Sequence, residues 1–269
     1  MTIPDRQNLT ALFAYGLGVQ PTRAQIELFE ADLSRSSLEL IYDSLREIRG
    51  SGIRGQTGLD LRSVVFAVYA RKLAEISRLF PIFFVFESSF RAFVAGRLAA
   101  IYGADDWWRP IDRAVRNSSD PLLLRTLNGQ PVARSTLRTV SRVLCSVRDA
   151  GAPSPNTGYD VISSGTMATV GSLIEQHWGD MIDSFHSGHM YRPHGRLTKT
   201  EFGELFKRVR LARNEAYHHR SVPAQARVVE IAEELLDFLD VHLEHSCRNV
   251  NAARLTPLRF KVQKEPRHA

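Results

Sequence analysis

Arg213, Asn214, His218 and His219 fall within the run Arg-Asn-Glu-Ala-Tyr-His-His at positions 213–219. An arginine presents a planar fork of donors suited to phosphate oxygens. A histidine is the side chain best poised to move a proton near neutral pH. Together they could cleave RNA without a metal. One ring would take the 2′-hydroxyl proton while the guanidinium stabilises the strained phosphate, leaving a 2′,3′-cyclic phosphate end. On a helix, Asn214 and His218 share a face, so the amide can orient the imidazole. Arg213 and His218 diverge by about 140° around that helix. An ordinary solvated helical face carries the same residue types, so spacing alone leaves both readings open.

Other residues compete for a role. His219 and Arg210 on the same helix, and Glu87 with Arg91, are candidates for supporting or RNA-binding positions. Glu87 and Arg91 are four apart on a helix, which reads either as a local ion pair or as a brace for the Arg213 helix. His186, His189 and His194 in His-Ser-Gly-His-Met-Tyr-Arg-Pro-His invite a zinc reading, but their spacing fits no standard zinc pattern and no cysteine completes a set. No metal and no cofactor is expected. Trp107, Trp108 and Trp178 read as packing residues, and His242 and His245 as the surface of the last helix.

These residues must be positioned by helices, since apolar residues recur at spacings of three and four and strand alternation is scarce. The pattern predicts helices over residues 22–33, 36–49, 60–78 and from Pro81 to Tyr102, with Gly103 as a stop. Residues 110–133 are punctuated by Pro, Asn and Gly. Further helices are predicted over 135–149, 166–185, 199–219 and 224–245. The helix at 199–219 turns Phe202, Leu205, Phe206, Val209, Ala212 and Ala216 to one side, a stripe that faces a core. Gly50, Gly52, Gly55 and Gly58 suggest a boundary near 58, and the class is all-α, a bundle with antiparallel neighbours.

Charge and composition bound the function. The 269 residues are 43% hydrophobic and 24% charged, an ordinary globular balance. The N-terminus lacks the pattern of a secretory signal, and the apolar window Leu79–Phe86 is too short to span a bilayer, so a cytoplasmic protein without membrane contact is expected. Cys145 and Cys247 read as free thiols in a reducing compartment. Residues 248–269 carry Arg248, Arg254, Arg259, Lys261, Lys264 and Arg267 against Glu265, so +5 of the net +6 lies in the tail. Such a tail is an electrostatic handle for RNA, or a solubilising end.

The segment Arg213–His218 resembles the Arg-(four to six residues)-His signature of the HEPN superfamily. Phe86-Glu87-Ser88-Ser89-Phe90-Arg91 with Tyr102-Gly103 and Trp107-Trp108, and Ser164–Met167 with Trp178–Met181, are similar to its Abi-like, abortive-infection branch. The likeness covers roughly residues 60–246. It implies an HEPN-type helical bundle at 59–246, preceded by additional N-terminal helices at 1–58 and followed by the basic tail at 247–269. It also implies a homodimer through the motif helices. The activity implied is that of a metal-independent endoribonuclease, a toxin or antiviral effector that an antitoxin or regulatory protein could control. Arg213 and His218 would then be the catalytic pair, with Asn214 supporting them. Arg220 stands where the nucleotidyltransferase-paired toxins carry a tyrosine, so control through that tyrosine is not implied. Some HEPN domains bind RNA or a protein without cleaving, and this is the alternative.

Overall fold

In a computed structural model, the structure describes residues 22–33, 36–51, 61–186 and 195–242, with scattered positions between 11 and 20. The protein is all-α, with a single two-stranded ribbon among the described residues. The chain divides into two compact units. Residues 1–80, 212–226 and 247–269 make the first, and residues 81–211 and 227–246 the second.

In the first unit, α1 (Arg23–Leu33) opens with a reciprocal cap. Thr22 Oγ1 accepts from Gln25 N, and the Gln25 side chain accepts from Thr22 N. Ser37 caps α2 (Leu38–Gly50) by accepting from Leu40 N at 3.4 Å. The buried residues Ile41, Leu45 and Ile48 of α2 meet Val64, Val65 and Val68 of α3 (Leu61–Ser77), and Phe29 of α1 completes the cluster. Residues 52–60, which hold the boundary expected at 58, lie outside the described residues. The helices on either side of that stretch share one apolar core. Their complementary apolar faces are buried only by folding onto each other.

The second unit is built on α4 (Phe80–Ile101) from Pro81, α5 (Arg109–Arg116), α6 (Arg134–Asp149), α7 (Gly158–Ser164), α8 (Met167–Gln176), α9 (Trp178–Met181), α10 (Lys199–Tyr217) as far as Leu211 and α11 (Gln225–Asp237) from Arg227. From α4, Ile82, Phe83, Phe86, Phe90, Val94 and Leu98 are buried along one stripe. Phe86 and Phe90 meet Phe206 of α10 at centroid separations of 5.2 Å each, and Phe202 packs on Phe206 at 5.3 Å. Gly171 of α8 lets that ring approach: a Cβ there would sit 2.9 Å from Phe206. The stripe expected on the 199–219 helix is thus a core face.

Several sequence expectations shift. The helix expected over 166–185 breaks at His177, whose buried ring replaces helical continuity with side-chain contacts. Its Nε2 lies 3.0 Å from Thr136 Oγ1 and 3.4 Å from the Tyr102 hydroxyl. The punctuated region 110–133 holds α5 and a hairpin, Thr126–Leu127 with Gln130–Pro131, turned by Asn128 and Gly129 at φ of 50° and 83°. Asn-Gly is the strongest short hairpin signal, so this turn was legible. Between Arg62 and Ile101 lies a window apolar and long enough to cross a membrane by composition, beyond the short one read from the sequence. Of that window, 44% is buried inside the protein.

Candidate functional site

The candidate site sits at the C-terminal end of α10, in the part that belongs to the first unit. Helix α10 starts with a reciprocal cap. Thr198 Oγ1 accepts from Glu201 N at 3.2 Å, while the Glu201 carboxylate accepts from Thr198 N at 2.9 Å. The helix ends at Tyr217, two residues short of the expected end at His219. The reason is His219, whose φ of 54° takes the chain left-handed. His219 N donates to Ala216 O at 3.0 Å and Arg220 N donates to Glu215 O at 2.8 Å. This pair of bonds is the Schellman closure of a helix, with histidine where glycine is usual. Pro223 lies beyond the stop and does not cause it.

Two ties hold this turn to the start of α2. Ser37 Oγ donates to the His219 carbonyl at 3.3 Å, in addition to capping α2. Arg220 Nε pairs with Glu39 at 2.7 Å, and its Nη1 lies 3.7 Å from Glu215. Arg220 is therefore a strut. Glu39 is the acidic residue in the first turn of α2, where the positive end of the helix also favours it.

Within this frame, Arg213 lies with its guanidinium 4.1 Å from the centroid of the Tyr217 ring. Tyr217 is in turn met edge-on by Phe80 at 5.2 Å. Stacking uses the face of the guanidinium rather than its N–H edge, so the ring fixes the plane of the fork. Arg213 Nη1 also donates to Asn214 Oδ1 at 3.2 Å. The Asn214 amide was expected to orient His218, but its oxygen serves Arg213. What joins Asn214 to His218 is backbone: His218 N donates to Asn214 O at 3.0 Å. His218 is the first residue past the helix, and its side chain is exposed, as is that of His219. Sequence reasoning missed Tyr217. Its position four residues after Arg213, one helical turn on, was the available signal. Nothing in the sequence marked Ser37 or Glu39, which come from 182 and 181 residues before the groups they hold.

The remaining candidates take other positions. Arg210 is half-buried on α10, one turn before Arg213. Arg91 is 8% exposed and pairs with Glu87 at 2.8 Å. Its Nη1 donates to the carbonyls of Ile162 and Gly165, the latter at 2.8 Å. Arg91 thus caps the C-terminal end of α7, where unpaired carbonyls need donors. Trp107 and Trp108 are buried, and Trp178 stacks on Phe185 at 5.1 Å. His186 follows the short 3-10 turn Ile182–Phe185, while His189, His194, His245, Cys247 and the basic tail lie outside the described residues. His242 is half exposed and pairs with Asp237 at 3.2 Å. Among the described residues no cluster of three or more His, Cys, Asp or Glu could hold a metal ion.

Compared with protein-family models, with curated proteins and with solved structures, the chain matches none.

Proposed function

We propose that this protein is a metal-independent endoribonuclease of the HEPN type, acting in the cytoplasm as a toxin or abortive-infection effector. Arg213 stabilises the charge that builds on the phosphate, and His218 moves the proton of the 2′-hydroxyl. The observation that carries this reading is the grouping at the end of α10. A guanidinium held by Tyr217 and Asn214 and an exposed imidazole share one short segment. The turn that follows is pinned by two ties to α2. Preorganised charge of this kind is the largest single contribution to many transition states. Arg213 and His218 leave the helix end in different directions, so a second copy placed about a two-fold axis would complete a cleft with its own pair.

The test is cleavage of total RNA in excess EDTA. We expect products with 2′,3′-cyclic phosphate and 5′-hydroxyl ends, and His218→Ala should abolish them with the fold intact. Activity that survives both Arg213→Ala and His218→Ala would refute the assignment. RNA that is bound but never cut would make the chain a silent binding module. For the dimer, mixing Arg213→Ala with His218→Ala protomers should restore part of the activity, and a fully active monomer would refute the shared cleft.

A further inference from the structure

The net charge of +6 conceals an uneven distribution. Between Arg109 and Arg148 the chain has eight arginines, no lysine and no glutamate, against Asp112 and Asp120 alone, a local charge of +6. With +5 in residues 248–269, the rest of the chain is left at −5. The basic segment lies entirely in the second unit.

Partners sort these arginines. Arg109 faces Asp106 at 3.7 Å, Arg116 holds Asp112 at 3.0 Å and Arg148 holds Asp149 at 2.8 Å. Arg134, Arg138 and Arg142 are all exposed, and none of the three forms an ion pair with a carboxylate among the described residues. They stand four apart along α6. With a rise of ~1.5 Å per residue, successive guanidinium stems are about 6 Å apart and turned by only ~40°. Like charges at this spacing repel and weaken a helix, so the arrangement does nothing for the fold. It forms a ladder of planar forks on one face, with a step comparable to that between phosphates of an extended strand. All three residues are arginine, whose fork grips phosphate oxygens two at a time.

Beside the ladder is a cavity of about 730 Å³ between α6 and the turn Pro121–Leu123. Arg138 and Arg142 form one wall, and Pro121, Leu122 and Cys145 give it apolar surface. Ser141 also lines it, and its hydroxyl is buried without a hydrogen-bond partner. Two carboxylates reach the rim, but both are engaged: Asp120 accepts from Leu122 N at 2.9 Å, and Asp149 accepts from Arg148. An apolar slot with one unsatisfied hydroxyl suits a flat heterocycle whose edge carries hydrogen-bonding groups.

We propose that α6 is a track for single-stranded nucleic acid, in which Arg134, Arg138 and Arg142 take consecutive backbone phosphates and the cavity at Ser141 takes one base. The proposal is independent of cleavage, because none of these residues belongs to the segment around Arg213 and His218. The test measures fluorescence anisotropy of a labelled oligouridine across salt concentrations. The full chain carries His218→Ala so that the strand stays intact. Each phosphate contact to a single strand contributes about −0.7 to the salt slope. Replacing the three arginines by glutamine should therefore make the slope shallower by about 2 and weaken binding on the order of tenfold or more at low salt. The single change Arg138→Gln should shift the slope by about 0.7, a second reading that asks less of the fold. Neutralising Arg23 and Arg227, exposed arginines in local ion pairs, should leave the slope as it was. An abasic strand of equal length should bind severalfold more weakly at the same slope. An unchanged slope in the triple variant, equal binding of the abasic strand, or displacement of the RNA by polyglutamate of matched charge each overturns the proposal. RNA bound along α6 but never cut by the wild type would sink the nuclease reading and leave the track standing. Cleavage with an unchanged slope would do the reverse.

Discussion

Arg91 is the residue for which sequence and structure suggest different work, and replacing it by methionine separates the two. Methionine keeps much of the aliphatic stem and removes the charge and every donor. Three groups then lose the bonds that Arg91 supplies. The Ile162 carbonyl is buried, the Gly165 carbonyl is partly buried, and Glu87 retains only 20% of its side-chain exposure. The Ile162 carbonyl still accepts from Gly165 N at 3.2 Å, so each of the three groups costs less than the ~1–3 kcal/mol of a fully unsatisfied buried acceptor. The total is about 2–3 kcal/mol, somewhat under the ~3–5 kcal/mol found when one member of a fully buried pair is removed. Against a typical stability of roughly 5–15 kcal/mol this is a large loss. The assay is urea unfolding followed by tryptophan fluorescence. All three tryptophans, Trp107, Trp108 and Trp178, lie in the same unit as Arg91, so the signal reports that unit. Adding Glu87→Gln to Arg91→Met should recover part of the loss, because the partly buried carboxylate that faced Arg91 is then neutral. A loss below about 1 kcal/mol, as for an exposed ion pair of the same spacing, would refute the capping role. Loss of RNA cleavage at full stability would instead return Arg91 to the RNA-handling set.

Two further outcomes test the local physics. His219→Gly should stabilise the protein by about 0.5–1 kcal/mol, since a left-handed residue with a Cβ costs ~1–2 kcal/mol and glycine gives back part of that in unfolded-state entropy; a lower thermal midpoint would show that the side chain itself is needed. Burial holds the His177 imidazole below its ordinary 6.5, with Asp180 opposing, so the unfolded chain takes up that proton first as the pH falls. Stability contributed by neutral His177 is therefore whole above pH 6.5 and lost as the pH drops toward the folded value. His177→Gln should flatten that acid limb in thermal melts, and an unaltered limb would refute the linkage. On the alkaline side, burial pushes the Tyr102 hydroxyl up to about 12, so its share of stability fades between about pH 10 and 12.

The amino-acid sequence by itself determined the all-α class, because helical periodicity is a local property that survives in any packing. It also marked the Arg213–His218 segment, the glycine stop at Gly103 and the Asn-Gly turn that closes the hairpin. The packing of α2 against α3 across the glycine-rich stretch was decided only in three dimensions, where two apolar faces had to be covered together. The same holds for the end of α10. Its stop at Tyr217 depends on a left-handed histidine tied to Ser37 and Glu39, residues remote in sequence. The break at His177 was hidden because its partners Tyr102 and Thr136 come from other elements, and the capping role of Arg91 was hidden because its carbonyl partners carry no side-chain signature. The ladder on α6 was written plainly in the sequence at every fourth residue. Only the fold showed which arginines had carboxylates to hold and which were left facing solvent, since pairing depends on neighbours that spacing along one chain does not reveal.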